Sequence, residues 1–217
     1  MLTLYGIARS RATRPLWTLF ECGCTFTHKQ VIQAYRAQAM PQVMTTSDPE
    51  FLRINPLGQI PVLTDDDLVL TESLAIAQYI AARFGGALGP QSPAEAALTQ
   101  QWALFAATAV EAPALEIQYT LQDAAKSAST EGQATVRIAA EKLRAPLRRL
   151  QAHLAGQDWL LGPRFTVADI CVAECLRYAQ GHPMLLAEFP AVKAWLERCQ
   201  ARPAFRKMWE MRLAEPA

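Results

Sequence analysis

The cluster Gly85-Gly86-Ala87-Leu88-Gly89-Pro90, with Pro93 just beyond it, divides the chain into two stretches of different periodicity. Before it, strand-like and helix-like patterns alternate. After it, only helical spacing remains. Such a chain folds as two domains, with residues 1–84 forming the first, 85–92 a linker, and 93–217 an all-helical second.

Within the first stretch, Leu2 to Tyr5 reads as a short buried strand. Arg11 to Cys22 carries a helical stripe at Leu16, Trp17, Leu19 and Phe20, closed by Gly23 as a C-terminal cap. Thr25 to Ile32 alternates and is β-branched enough for a second strand. Asp48-Pro49 predicts a capped short helix through Leu52. Pro61 to Leu63 and Leu68 to Leu70 flank the acidic turn Asp65-Asp66-Asp67 as a hairpin. Thr71 to Phe84 closes the unit as a helix with Leu74, Ala77, Ile80 and Ala81 on one face. The order β-α-β-α-β-β-α predicts a mixed four-stranded sheet covered by helices.

In the second stretch, Leu98, Trp102, Phe105 and Ala109 keep helical spacing, as do Val136, Leu143, Leu147, Leu150 and Leu154. Val167 to Tyr178, Val192 to Cys199 and Ala204 to Leu213 add further helices, about five in all. Pro113 and Pro146 fall inside helical patterns, where each is expected to kink or interrupt its helix.

Composition narrows the function. The chain has 217 residues, 51% apolar and 19% charged, and its 21 Lys and Arg against 20 Asp and Glu leave a net charge of +1. That balance supplies no concentrated basic field, so nucleic acid and membrane surfaces are not expected partners. Nothing approaches a membrane-spanning apolar run, and the N-terminus lacks the charged and apolar regions of a signal peptide. A cytoplasmic location is expected. The five cysteines, Cys22, Cys24, Cys171, Cys175 and Cys199, are odd in number and never accompanied by histidine. Neither a disulfide framework nor a zinc site is expected. The sequence has no Gly-rich phosphate loop and no metal-ligand cluster, so neither nucleotide nor metal is anticipated.

Three motifs carry a resemblance. N-P-L-G-Q-I-P-V-L runs from Asn55 to Leu63, T-E-S-L-A-I-A-Q-Y-I from Thr71 to Ile80, and L-G-P-R-F-T-V-A-D-I from Leu161 to Ile170. Together, in this order and on both sides of the linker, they resemble the cytosolic glutathione S-transferase family. The resemblance implies a thioredoxin-like N-terminal domain and an all-α C-terminal domain. It also implies transfer of the glutathione thiolate to a hydrophobic electrophile in detoxification, with glutathione as co-substrate, by a twofold homodimer.

The resemblance further implies that Ile60-Pro61 is a cis peptide, which would turn the backbone of Ile60 outward to pair with an extended tripeptide. A trans proline opening an edge strand is the alternative. Glu72-Ser73 stands at a helix start. As plain helix chemistry it is a cap with a carboxylate in the first turn. By resemblance, Ser73 and the free N–H groups hold the α-carboxylate of a γ-glutamyl group, and Glu72 accepts from its ammonium. Gln59, where the family often has Lys, can hydrogen-bond near the glycyl end. Thr166 to Asp169 is a capping box and reads as folding machinery.

A thiol with pKa about 8.5 is only a few per cent thiolate near neutrality, and lowering it by about two units requires roughly 2.7 kcal/mol. One hydroxyl donor beside a helix N-terminus suffices. The donor is sought in Tyr5-Gly-Ile-Ala-Arg-Ser-Arg-Ala-Thr13. Ser10 falls at the serine of serine-type members and resembles bacterial relatives carrying S-R-x-x-R. Tyr5 aligns with the tyrosine of tyrosine-type members, and Thr13 or backbone donors remain open. The cysteine of beta-type enzymes would fall at Arg11, so that covalent chemistry is absent. Arg9, Arg11 and Arg14 lie at the helix start, where arginines are commonly solvated.

The acceptor pocket is expected between this turn and the first helix of the second domain. Trp102, Phe105, Tyr119 and Met44 are its candidate walls, although helical spacing also suits Trp102 and Phe105 to a core. Other glutathione chemistry on this fold (peroxidase, dehalogenase or cis-trans isomerase) and a non-catalytic binding or regulatory member stay open as alternatives.

Overall fold

The computed structural model describes residues 1–216. It divides into two compact units, one of Met1–Gly89 with Arg202–Ala217, the other of Pro90–Ala201.

The first unit opens with β1 (Thr3–Tyr5), α1 (Thr13–Cys22) and β2 (Thr27–Lys29). Gly23, at φ 63, ends α1 in the left-handed conformation expected of a glycine C-cap. β3 (Val31–Ile32) and β4 (Met44–Thr45) form a separate parallel pair. The predicted strand from Thr25 to Ile32 therefore breaks at Gln30 and serves two sheets. A 3₁₀ turn over Ala34–Ala39 lies between β3 and β4. α2 (Pro49–Ile54) begins at Pro49, but the Asp48 carboxylate accepts from the Thr45 N–H at 2.7 Å instead of capping the helix. β5 (Val62–Asp65), β6 (Leu68–Leu70) and α3 (Ser73–Phe84) follow.

The main sheet has the order β2-β1-β5-β6. β1 runs parallel to β2, pairing Thr3 with Thr27, and antiparallel to β5, pairing Tyr5 with Val62. This is the mixed four-stranded sheet of a thioredoxin-like domain. Leu4, Leu16, Leu19, Leu63, Ile76 and Ile80 are fully buried around it, since α1 and α3 turn their apolar stripes inward. α3 is tied back to β5 where Tyr79 Oη donates to Asp65 at 2.7 Å and Arg83 Nε reaches the same carboxylate at 2.9 Å.

Gly85 and Gly89 owe their place to close approach. A Cβ on Gly85 would meet the Ala81 carbonyl oxygen at 2.6 Å, and one on Gly89 would sit closer still.

The second unit contains α4 (Pro93–Phe105), α5 (Glu111–Gln122), α6 (Ala124–Ala128), α7 (Thr130–Leu154), α8 (Val167–Leu176), α9 (Pro183–Ala187) and α10 (Pro190–Gln200). Ala106–Val110 joins α4 to α5 as a π-helical segment. Its position has a cause: Pro113 lacks an N–H for the carbonyl of Ala109 and its ring crowds that oxygen, so the backbone widens just before it. Pro146 lies inside α7, which continues through it without a break.

α11 (Pro203–Ala214) lies outside this bundle, although its sequence pattern read as a continuation of it. It packs on α1 in the first unit. Phe205 meets Trp17 edge-on at 4.9 Å, and Arg202 grips Glu21 at 2.6 and 2.7 Å. Among the described residues no helix is long and apolar enough to cross a membrane.

Candidate functional site

The first unit brings three predicted segments together: the turn from Gly6 to Ala12, the Asn55–Pro61 loop and the start of α3. Gly6, at φ 140, lets the chain leave β1 sharply, and a Cβ there would lie 3.2 Å from that of Ala12 and 3.5 Å from that of Ile60. The glycine thus permits the turn and the proline loop to approach.

Ile60-Pro61 is a cis peptide, as the resemblance implied. The loop before it is anchored by buried Asn55, whose Nδ2 donates to the Gln59 carbonyl at 2.8 Å. The Gln59 side chain is exposed and Ile60 half-buried.

At the α3 start, Glu72 is exposed with φ 65 and ψ 103, a backbone conformation that non-glycine residues adopt only under strain. Ser73 is buried, and its Oγ accepts from Arg14 Nη1 at 2.9 Å. Arg14 is only 2% exposed. An arginine that its position marked for solvent instead places a guanidinium beneath the first turn of α3. The hydroxyl proton of Ser73 remains for a ligand oxygen, and the helix N–H groups carry the same polarity.

The candidate thiol-activating hydroxyls occupy different surroundings. Tyr5 is 8% exposed and packs with Val31, Phe51 and Val62 in an apolar cluster. Thr13 is fully buried and its hydroxyl turns back to the Ser10 carbonyl at 3.3 Å. Ser10 is half-buried, and its Oγ donates to the Ile7 carbonyl at 2.6 Å while accepting from the Ala12 N–H at 3.0 Å. It lies three residues before the first residue of α1, whose partial positive end favours an anion.

The rest of the turn is held from outside. His28 Nε2 lies 2.8 Å from the Gly6 carbonyl, Arg212 Nη1 donates to Ala8 at 2.9 Å, and Arg36 Nη1 to Arg9 at 3.2 Å. Glu215 is buried, and its carboxylate accepts from the N–H groups of Ala8 at 2.8 Å and Arg9 at 2.6 Å. Those two amides are therefore already engaged, and the backbone donors left open by the sequence narrow accordingly. Sequence reasoning missed Arg14 as a partner of Ser73 and Glu215 altogether. Their partners lie 59 and more than 200 positions away, so no local pattern marks them.

Trp102 and Phe105 lie in the second unit. They are 3% and 9% exposed and meet edge-on at 5.4 Å, with the Arg149 guanidinium over both rings. Trp102 borders a cavity of about 680 Å³ and Phe105 one of about 480 Å³, lined also by Thr108 and Ala109. Tyr119 is exposed, and Met44 packs against the Tyr5 cluster. All five cysteines are free thiols, and among the described residues no cluster of three or more His, Cys, Asp or Glu side chains is placed to hold a metal ion.

A mixed thioredoxin-like sheet unit followed by an all-helical unit defines a two-domain thioredoxin-like protein. Residues 1–82 match the glutathione S-transferase N-terminal domain and residues 106–203 the glutathione S-transferase C-terminal domain. The chain belongs to the glutathione S-transferase family. Glutathione S-transferase 3 of Zea mays is 35% identical over 216 residues, which cover 95% of this chain and 92% of that one. The theta class glutathione S-transferase of Xanthomonas axonopodis pv. citri, solved with glutathione bound, is 30% identical over 95% of both chains, with a TM-score of 0.79. Glutathione S-transferase I from mais, solved with an atrazine glutathione conjugate, is 29% identical over 99% of both chains, with a TM-score of 0.81.

Proposed function

We propose that this protein conjugates the thiolate of glutathione to a hydrophobic electrophile, with Ser10 as the hydroxyl that stabilises the thiolate. The observation that carries this reading is the α3 start: Ser73, backed by the buried Arg14, can donate to a carboxylate while Glu72 accepts an ammonium. Those are the two charged groups on the α-carbon of a γ-glutamyl residue. The backbone of Ile60 and the exposed Gln59 extend the same site toward the glycyl end.

Ser10 is favoured among the three hydroxyls because Tyr5 and Thr13 are packed away from solvent. Its proton has to rotate from the Ile7 carbonyl to the sulfur, a change of one torsion. The cavities beside Trp102 and Phe105 support those rings as apolar walls for the acceptor. The twofold homodimer and the cytoplasmic location implied by the resemblance belong to this reading. Exposed Leu98 and Leu104 on α4 support the first, five free thiols the second.

The test is calorimetry with glutathione, followed by assays with an aryl halide, an organic peroxide and a maleyl compound. Saturable binding with turnover of the aryl halide is expected. No heat at millimolar glutathione on folded protein refutes the site, and faster turnover of another substrate reassigns the reaction.

A further inference from the structure

We propose that Glu215 is a positioning residue for thiol activation, holding the turn that carries Ser10 from the far end of the chain. The inference rests on the reading of Ser10 above. α11 ends at Ala214, and Glu215 leaves it in an extended conformation that carries its carboxylate to the turn. There the two oxygens take the N–H groups of consecutive residues, Ala8 and Arg9, at 2.8 and 2.6 Å. The contact is reciprocal, since Arg9 Nε donates to the Glu215 carbonyl at 2.7 Å. Arg212, one turn back on α11, holds the Ala8 carbonyl, and Arg36 bridges the Arg9 carbonyl to that of Pro216.

Five successive carbonyls, Gly6 through Ser10, thus each accept a hydrogen bond, and two of those bonds come from arginines that also face the C-terminal segment. The Ser10 hydroxyl is aimed by two bonds inside the turn, to the Ile7 carbonyl and from the Ala12 N–H. The bonds from His28, Arg212, Arg36 and Glu215 hold from outside the backbone that carries those partners. Charge-assisted bonds to a buried carboxylate are the stronger kind. A thiol donor displaced by even an ångström loses much of its effect.

Sign separates positioning from plain charge. Removing a nearby carboxylate stabilises a thiolate through space and lowers the pKa of bound glutathione. Loosening the donor raises it.

The experiment compares wild type with Glu215→Ala, Glu215→Gln, Ser10→Ala and the Ser10→Ala/Glu215→Ala double variant. The readouts are the pKa of bound glutathione from thiolate ultraviolet absorbance, kcat and KM with an aryl halide, and thermal unfolding. Glu215→Ala is expected to raise the thiol pKa and lower kcat about tenfold with glutathione KM unchanged. Glu215→Gln, which keeps one acceptor oxygen without the charge, should recover part of the loss. The double variant should be no worse than Ser10→Ala alone.

A lowered thiol pKa in both Glu215 variants overturns the proposal in favour of a field effect. A lower melting temperature with unchanged kcat and pKa overturns it in favour of a purely structural tie. If Ser10→Ala shifts the titration and Glu215→Ala does not, only this proposal fails. If Ser10→Ala titrates like wild type, the Ser10 reading itself falls, and any Glu215 effect then runs through another donor.

Discussion

The behaviour of single residues at the site follows from what each side chain touches. Ser10→Ala removes a hydroxyl from the start of α1 and leaves the α3 contacts in place. The bound thiol pKa is expected to rise while glutathione affinity stays nearly intact, measured by absorbance titration and calorimetry. Ser73→Ala does the opposite, costing about 1–3 kcal/mol of glutathione binding for one buried polar partner lost. Glu72 carries a backbone strain that only glycine relieves. Glu72→Gly should raise stability by about 1 kcal/mol in denaturant unfolding while weakening glutathione binding, whereas Glu72→Ala weakens binding with no such gain. Burial pushes the Cys22 thiol up to about 12, with the neighbouring Cys24 adding to it. At pH 8 about one thiol in ten thousand is ionised, so Cys22 should resist iodoacetamide, with labelling by mass rising only at strongly alkaline pH. At this scale the sequence was legible wherever chemistry is local. Glu72 and Ser73 declare themselves by standing before an apolar helix. Arg14 does not, because an arginine in a first helical turn is ordinarily wet, and the Ser73 hydroxyl it bonds lies in a distant segment.

Elements were legible where periodicity and caps agree. α1, the β5-β6 hairpin and α3 all follow from an apolar stripe, a closing glycine or an acidic turn. The stretch from Thr25 to Ile32 misled because alternation records which face is buried but not which partner a strand pairs with; β2 and β3 share one pattern and two sheets. Asp48 shows a similar ambiguity, since its carboxylate found the Thr45 N–H before the helix could use it. The Thr166–Asp169 motif needs no distant information and reads correctly as a helix start. Asp169 accepts from the Leu160, Thr166 and Trp195 N–H groups at 2.9 Å each, which oppose the upward push of burial on its carboxyl. Asp169→Ala strands three buried donors. It is expected to destabilise the fold by about 3 kcal/mol or more in chemical denaturation, with no change in glutathione affinity of the protein that remains folded.

For the whole molecule, the division into a sheet unit and a helical unit was visible in the change of period at Gly85, and the mixed sheet in the order of elements. The thioredoxin-like character came instead from the resemblance carried by the three motifs. Which unit owns the last helix was not visible. Helical spacing from Ala204 to Leu213 is the same whether α11 packs on the bundle or on α1, and the choice rests on Trp17, Phe205 and the Glu21–Arg202 pair. Deleting residues 203–217 should therefore leave α4 through α10 protected in hydrogen exchange and expose α1, with loss of glutathione binding. The chain passes between the units twice, after Gly89 and after Ala201. During synthesis residues 1–89 are made before the helical unit, yet they lack α11 as a wall until that whole unit has been translated. The later-made bundle can therefore close before the unit that precedes it.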